Sequence, residues 1–194
     1  RVLTRDPEHA RDRFGPSFDV VGGNATDPES LDRALEDCWG VHISIAGQAE
    51  RVAAEVVASL APALGLGCIG YVSGATVDPR NEWFPMVADK LRAERAVEAS
   101  GVPFIIFRPS WPFETLARFV RAGRATMIGK QPTPYHWFAA GDFARMVSTA
   151  YQSGDAIGKR LYIHGPEAIA MHGALDRYRA ALHPEIPAVS TMPT

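Results

Sequence analysis

The sequence is poor in cysteine, and it has no long apolar run and no clustered histidines. Its two cysteines, Cys38 and Cys68, fall within a helix pattern and a strand pattern, which predicts reduced core thiols and no disulfide framework. No apolar run is long enough to cross a bilayer. The six histidines lack metal-ligand spacing. We therefore expect a cytoplasmic protein without a membrane association or a bound metal.

Excess charge of either sign is also missing. The 20 basic and 22 acidic residues give a formal net charge of −2, and no stretch concentrates arginine on one face, so nucleic-acid binding is not expected. The chain has 194 residues, 46% of them hydrophobic, and this is enough to bury the core of one domain with a small appendage.

Apolar strand patterns alternate with helix patterns over the first 110 residues. Near-continuous apolar runs are typical of parallel strands covered on both faces. The predicted strands are 1–4, 18–22, 41–46, 68–73 and 103–107. The predicted helices between them are 28–38, 48–64 and 85–99. This order predicts an α/β fold with a doubly wound parallel sheet and right-handed crossovers.

The alternation changes after residue 110. We predict helices at 113–122, 142–152 and 171–182, a strand at 160–164, and a Gly/Pro-rich loop at 128–134. The division that follows is a core of 1–110 completed by strand 160–164, with 111–159 and 165–194 as a substrate-binding cap. Asp142 is expected to be the N-cap of a helix over 143–152.

Lys90 stands out because it lies on the apolar side of its predicted helix. At 100° per residue, Met86, Lys90, Ala93 and Val97 share one side, whereas a solvated lysine belongs on the opposite side. Two destinations for the ammonium stay open. It reaches water at the rim of the sheet, or it binds an oxygen of a ligand.

Five short blocks, in the right order, resemble the NmrA-like and atypical short-chain dehydrogenase/reductase families. They are Val2-Leu-Thr-Arg-Asp-Pro7, Val21-Gly-Gly-Asn-Ala-Thr-Asp27, Tyr71-Val-Ser-Gly74, Lys90-x-x-x-Glu94 with Arg108-Pro109-Ser110, and Ala140-Gly-Asp142-Phe-Ala144. The resemblance implies a Rossmann fold that binds NAD(P) and a small-molecule substrate.

Two departures from the family pattern matter. The family's first strand and glycine-rich turn are missing, and that strand is central in the usual order, so we expect a gap in the sheet with unpaired backbone on both sides. We also expect roughly 25–35 residues upstream, about one strand-turn-helix unit. The second departure is Met86, which occupies the position of the tyrosine in the family's Tyr-x-x-x-Lys pair.

The resemblance implies cofactor contacts at the strand ends. An arginine at Arg5 accommodates the 2′-phosphate of NADP, although Asp6 is also present, and we expect NADP(H) to be preferred over NAD(H). Asn24 and Ala25 stand where the family contacts adenine. The remaining implied cofactor residues are Thr4, Ala46, Gly47, Ser73, Lys90, Pro109 and Ser110. The alternative for each is an ordinary turn or strand-end residue.

Ser73 and Lys90 are the implied catalytic residues, with Ser73 polarising a substrate carbonyl and Lys90 holding the nicotinamide ribose. Aromatic residues in the loops suggest a flat or apolar substrate, and the alternative is that they form the core of the cap. These candidate substrate residues are Trp83, Phe84, Trp111, Phe113 and Trp137.

The leading hypothesis is an NADP(H)-dependent oxidoreductase that transfers hydride to a small carbonyl or quinone-like substrate. The missing tyrosine keeps an alternative open, a non-catalytic NADP(H)-binding redox sensor of the NmrA type. An epimerase with tightly held NAD is weaker because Arg5 favours NADP. Whether the protein forms a homodimer stays open.

Overall fold

The computed structural model describes residues 1–193 and divides the chain into two compact units. The first unit contains Arg1–Arg108 and Ser153–Leu161, and the second contains Pro109–Gln152 and the chain from Tyr162 onward. The sequence predicts that the first boundary lies at residue 110, two residues later than in the structure. It also predicts that residues 160–164, and not Ser153–Leu161, complete the first unit.

Strands and helices alternate through the first unit, as predicted. The elements there are β1 (Val2–Thr4), α1 (Pro7–Phe14), β2 (Val20–Gly22), α2 (Pro28–Leu35), β3 (Gly40–Ile43), α3 (Ala49–Leu60), β4 (Cys68–Val72), α4 (Pro85–Ala99) and β5 (Phe104–Pro109). The helix starts follow local chemistry: Asp27 accepts a hydrogen bond from the Ser30 N–H at 3.1 Å, and Pro28 opens α2.

The later elements are shorter and richer in strands. They are β6 (Trp111–Pro112), a 3-10 helix (Phe113–Phe119), β7 (Val120–Arg121), β8 (Arg124–Ile128), β9 (Pro134–Phe138), α5 (Ala140–Gln152), β10 (Lys159–Ile163), β11 (Ala168–Ala170), α6 (Met171–Leu182) and β12 (Val189–Met192). The predicted helix over 113–122 is therefore wrong. A 3-10 helix replaces its first part, and the chain then enters β7.

The sheet of the first unit has the predicted parallel, α-covered character. Strands β3, β4 and β5 pair in parallel, with β10 beside β5, while β1 and β2 form a separate parallel pair. Helices α3 and α4 pack against each other. Their inner faces meet a core that includes Ile69, Tyr71, Val97 and Ile106, each fully buried. The doubly wound α/β fold class is confirmed.

A gap separates the two sheets of the first unit. Within the described residues, β1 pairs only with β2, and β3 pairs on one side only, with β4. A cavity of about 550 Å³ lies between them, lined by Val2 and Leu3 on one side and by Val41 and Ile43 on the other. Both facing strand edges are left without a partner among the described residues, which is the gap in the sheet that the sequence predicts.

The second unit has its own core. Strand β8 pairs with β7 and β12, and β9 pairs with β6 and β11. Buried Leu116, Met127, Trp137 and Leu175 fill the space between these strands and α6. The unit is thus organised around short strand pairs that the sequence pattern did not predict.

Asp142 is not the helix N-cap that the sequence predicts. Helix α5 begins at Ala140, which places Asp142 inside its first turn, where the carboxylate pairs with Arg145. The first N–H of the helix, on Ala140, is instead donated to Oε1 of Glu114 at 2.9 Å. A carboxylate supplied by the preceding 3-10 helix therefore satisfies a helix start that the local sequence leaves open.

Candidate active site

Six predicted cofactor residues of the first unit stand at or just after the carboxyl ends of its parallel strands. They are Thr4 on β1, Asn24 and Ala25 after β2, Ala46 and Gly47 after β3, and Ser73 after β4. Carboxyl ends of parallel strands are where open α/β sheets bind ligands. The fold therefore places these residues where a nucleotide site is expected.

Arg5 is exposed and is available to an anionic ligand. Within residues 1–193 it makes no hydrogen bond or ion pair. The neighbouring carboxylate is already used, because Asp6 accepts a hydrogen bond from the His9 N–H at 3.1 Å and caps α1. Because Asp6 caps α1, its position beside Arg5 does not imply that it binds the ribose of a cofactor. The turn therefore presents a cation.

The turn after β2 combines a local role with a free donor. Asn24 Oδ1 accepts a hydrogen bond from the Thr26 N–H at 3.1 Å, as the alternative interpretation of this residue predicts. The side-chain amide nitrogen of Asn24 can still donate a hydrogen bond to a ring nitrogen of adenine. Gly23 must be small, since a Cβ there would lie 2.9 Å from Ser30 Cβ, an atom fixed to the backbone of α2. After β3, Gly47 has φ +82°, a conformation that favours glycine.

Lys90 has an unforeseen partner. Its ammonium pairs with the carboxylate of Glu50, which is buried in the first turn of α3. The same Glu50 oxygen accepts a hydrogen bond from the Tyr71 hydroxyl at 2.6 Å. The Lys90 side chain is 15% exposed, so part of it remains accessible. The ammonium is thus held by a protein carboxylate, a destination that neither sequence interpretation considered.

Tyr71 does not replace the tyrosine missing at Met86. Tyr71 is fully buried in the core. Burial raises its pKa far above the ordinary value, and the hydrogen bond to Glu50 raises it further. A hydroxyl that is inaccessible and that holds its proton so firmly cannot serve as the acid for a substrate. Its role is to anchor Glu50.

Ser73 is also bound to a buried glutamate. Its hydroxyl donates to Glu94 Oε1 at 2.5 Å, and Glu94 is only 2% exposed. Arg108 holds the same carboxylate in a bidentate pair, with Nε 2.9 Å from Oε1 and a terminal nitrogen 2.5 Å from Oε2. Arg160 approaches Oε2 at 3.5 Å. The serine is therefore tied to a buried ionic cluster.

The two predicted catalytic residues lie near each other. A Cβ added at Gly74, the residue after Ser73, would lie 3.9 Å from Cδ of Lys90. The Lys90 side chain thus runs past the turn that carries Ser73. Met86 lies one helical turn before Lys90 on α4 and is 52% exposed.

Glu50 and Glu94 are the functional candidates that the sequence reasoning missed. The signal was present in the helical periodicity. Glu50 shares a stripe with Ala54 and Val57, and Glu94 shares one with Leu91 and Val97, all of them buried. A carboxylate on an apolar stripe requires a buried partner, as Lys90 does.

Pro109 and Ser110 belong to the second unit, where Ser110 is used locally. Its N–H donates to the Ile163 carbonyl at 3.0 Å, and its hydroxyl donates to the His136 carbonyl. These bonds fix the backbone directly after β5. The predicted contact of both residues with nicotinamide stays a prediction.

The five candidate substrate aromatics are divided between the units. Trp83 and Phe84 belong to the first, with ring centroids 5.8 Å apart, and Trp83 is 80% exposed. The other three belong to the second, where Trp137 lies 6.5 Å from Trp111 and stacks on Phe113 at 6.2 Å.

A cavity of about 700 Å³ in the second unit adjoins these aromatics. Phe113 and Trp137 line it, together with Ile169 and Tyr178. The Trp137 indole N–H is donated to the Ile169 carbonyl at 2.9 Å, so the ring presents mainly apolar surface. Trp137 is also part of the unit's core, as the alternative interpretation of the aromatics predicts, and its contact with a substrate stays a prediction.

The profile of a family described as NAD(P)H-binding matches residues 1–130. The chain belongs to the NAD(P)H-binding family. The match includes β1 to β5 and the residues that hold Ser73 and Lys90, and it confirms the resemblance drawn from the sequence blocks. No curated protein matches the sequence. No helix within residues 1–193 is long and apolar enough to cross a membrane.

Solved structures with the same fold are distant in sequence. Citrobacter sp. triphenylmethane reductase complexed with NADP(H) superposes with a TM-score of 0.77 at 16% identity, over 98% of this chain and 68% of that one. An NADPH-dependent quinone oxidoreductase from Escherichia coli gives 0.76 at 18%, over 99% and 68%. A nucleoside-diphosphate-sugar epimerase from Staphylococcus aureus gives 0.77 at 18%, over 99% and 70%. Similarity at this level shows the Rossmann-type fold.

The residues at the strand ends fit the cofactor of the NAD(P)H-binding family. Arg5 offers a guanidinium without a partner among residues 1–193, Asn24 offers an amide N–H, and Gly47 opens the backbone at the end of β3. Lys90 retains N–H groups beyond the one given to Glu50. Groups of these kinds can bind a phosphate, an adenine ring and a ribose, and the contacts themselves stay predictions.

Proposed function

We propose that the protein is an NADP(H)-dependent oxidoreductase that reduces a small carbonyl or quinone-like substrate. The observation that carries this proposal is the arrangement of Ser73 and Lys90. The Lys90 side chain runs past the turn that carries Ser73, and each of the two residues is fixed by a buried glutamate. Fixed polar groups beside a predicted nucleotide site are what hydride transfer requires. The fold supports the proposal, since the triphenylmethane reductase and the quinone oxidoreductase share it.

The reaction takes one hydride and one proton. NADPH, when bound, would supply the hydride; the carbonyl carbon or quinone ring would gain it, and an oxygen of the substrate would gain the proton. Met86 has no proton to give, so the proton comes from water or from the substrate. Lys90 would hold the ribose hydroxyls through the N–H groups that the pair with Glu50 leaves unused.

Arg5 is proposed to select NADPH over NADH. Its guanidinium is exposed and unpaired within the described chain, whereas Asp6 is occupied as a helix cap. A guanidinium binds phosphate through charge-assisted hydrogen bonds. The 2′-phosphate is the group that distinguishes the two cofactors, so this one side chain determines the preference.

A fluorescence titration tests the cofactor site. Full-length protein is titrated with NADPH and with NADH while tryptophan emission is followed. Arg5→Ala is expected to weaken NADPH binding by about 10- to 100-fold, the value of a hydrogen-bonded charge, and to leave NADH binding unchanged. Arg13→Ala removes an exposed arginine of α1 and should change neither. Equal binding of both nucleotides, unaffected by Arg5→Ala, would refute the NADP preference.

Turnover is tested separately with a panel of quinones and aldehydes. Loss of NADPH absorbance is expected with at least one acceptor, and Lys90→Ala should raise the KM for NADPH. A protein that binds NADPH but reduces nothing on the panel contradicts the reductase proposal.

Met86 favours a second candidate function, a redox sensor. A thioether in the place of the family's acid removes a proton donor and changes none of the residues proposed to hold the cofactor. A sensor of this kind binds a protein partner differently in the presence of NADP⁺ and NADPH. A pull-down that is the same with either nucleotide argues against it.

A further inference from the structure

The cavity of the second unit combines apolar walls with a few charged side chains. Its volume of about 700 Å³ suits a small molecule, and small-molecule sites are mostly apolar with a few polar groups that orient the ligand. All the residues that line it belong to the second unit. Its aromatic members are Phe113, Trp137 and Tyr178, and its charged members are Glu114, Glu167 and Arg177. The charges that remain unbalanced decide which class of ligand fits.

The positive charge of the cavity is already balanced. Both carboxylate oxygens of Glu167 accept hydrogen bonds from Arg177, at 2.8 and 2.9 Å. This bidentate pair is the strong geometry for a guanidinium and a carboxylate. The indole N–H of Trp137 is also occupied, since it is donated to the Ile169 carbonyl. An anionic ligand would therefore have to compete with Glu167 for Arg177.

Glu114 carries the negative charge that remains. One of its oxygens accepts the Ala140 N–H at 2.9 Å, and no cationic side chain within residues 1–193 pairs with this carboxylate. The N-terminus of α5, which begins at Ala140, carries about half a positive charge and offsets only part of it. The faces of aromatic rings are electronegative as well and attract cations. The charges that line the cavity thus favour a ligand with a positive charge.

We propose that this cavity binds an organic cation, a molecule with an apolar or aromatic body and one positively charged nitrogen. Glu114 is the counter-charge of the nitrogen, and the aromatic side chains of Phe113 and Trp137 contact the body. The inference goes beyond the proposed function, because carbonyl compounds and quinones carry no positive charge and because this binding requires neither nucleotide nor turnover.

The test compares three ligands that share one apolar body and differ in charge. Naphthylmethylamine is a cation at neutral pH, naphthylmethanol is neutral, and naphthylacetate is an anion. Each is titrated into the full-length protein by isothermal titration calorimetry without nucleotide. The amine should bind about fivefold tighter than the alcohol, which is the value of an exposed ion pair or cation–π contact, and the anion should bind most weakly. Added salt should reduce the advantage of the amine.

Replacement of Glu114 isolates the contribution of its charge. Glu114→Gln keeps an oxygen that can accept the Ala140 N–H and removes only the charge, so the ratio of amine to alcohol affinity should fall to about one. Glu185→Gln is the matched control, because Glu185 is an exposed glutamate of the second unit that does not line the cavity. It should leave the ratio unchanged. Glu114→Gln combined with Glu167→Gln leaves the Arg177 charge unbalanced, so naphthylacetate should become the tightest of the three ligands.

Ala117→Phe shows whether the ligands bind in this cavity. Ala117 is an exposed residue of the 3-10 helix and lines the cavity, so a larger side chain occupies part of the volume and should weaken the amine and the alcohol alike. Circular dichroism establishes that the variant is folded, and Glu114→Gln decides the matter if it is not.

Three results would overturn the inference. They are a failure of the amine to bind more tightly than the alcohol, an amine preference that survives Glu114→Gln, and unchanged binding by folded Ala117→Phe protein. Failure of the proposed function appears in other measurements, as absence of NADPH binding or of turnover, because the three ligands are titrated without nucleotide.

Discussion

Replacing Glu50 and Lys90 singly and together measures how strongly the buried ion pair between them stabilises the fold. Their side chains are 9% and 15% exposed, so water screens the pair only partly. Removal of one partner of a buried pair leaves an uncompensated charge and costs about 3 kcal/mol. Replacement of both by neutral groups removes that penalty, so the effects should be far from additive.

Lys90→Met should lose about 3 kcal/mol, because Glu50 keeps only the Tyr71 hydroxyl. Glu50→Gln should lose about 2 kcal/mol, since the lysine stem can carry its charge toward water. The double variant should also lose about 2 kcal/mol, which leaves a coupling energy of about 3 kcal/mol.

Urea unfolding, followed by tryptophan fluorescence and circular dichroism together, supplies the four free energies of unfolding. The exposed pair of Arg177 and Glu167, with side chains 61% and 58% exposed, is the matched control and should show much weaker coupling. Additivity within about 0.5 kcal/mol for Glu50 and Lys90 would refute the buried-pair argument.

Three further predictions concern stability alone. Burial raises the pKa of Tyr71 above its ordinary 10.0. The unfolded state therefore loses the phenol proton above about pH 10 while the folded state keeps it, so the free energy of unfolding falls as the pH rises above about 10. Tyr71→Phe should reduce this alkaline loss of stability in urea titrations. A Cβ at Gly165 would lie 1.5 Å from a backbone carbonyl oxygen, so Gly165→Ala should cost at least about 3 kcal/mol, whereas Gly154→Ala meets nothing within 4 Å and should be nearly neutral. Leu175→Ala should lose about 3 kcal/mol of stability by leaving a cavity, and Leu182→Ala, at a position 60% exposed, should lose far less. Thermal melts of the glycine and leucine variants beside the wild type measure these losses.

The first unit could be predicted because its strands β4 and β5 are buried on both faces. Runs such as Cys68-Ile-Gly-Tyr-Val72 are apolar at almost every position. Helix α2 begins where Asp27 and Pro28 predict a helix start. The gap in the sheet was predicted from the order of the five blocks that resemble the family, which do not include the family's first strand. These signals are local, so one sequence suffices to find them.

The second unit was harder to predict because its strands are short and pair across long loops. Strand β8 lies beside β12, which is more than 60 residues away, and no periodicity within β8 signals that partner. The segment 113–122 has helical spacing of apolar residues, yet it forms a 3-10 helix, and Glu114 caps the following helix. Contacts between residues far apart in the sequence determined the secondary structure of these segments.

The electrostatics of the site depended on pairs that no single residue reveals. Lys90 was found because it is a charge on an apolar stripe, but Glu50 and Glu94 have the same property and complete the arrangement. A helical wheel shows that a charge is buried and does not show which charge meets it. Treating every charge on an apolar stripe as one member of a pair would have found both glutamates.

The ion pair between Lys90 and Glu50 also explains why Met86→Tyr alone would not restore the family's tyrosine-lysine pair. In that pair an unpaired ammonium stabilises a phenolate and lowers the tyrosine pKa. Here the Lys90 charge is balanced by Glu50. A tyrosine at position 86 would meet an ion pair whose net field is small, so its pKa would stay near the ordinary value. The carboxylate at Glu50 and the thioether at Met86 are thus mutually consistent, since a lysine that has no tyrosine to activate needs another countercharge when it is buried.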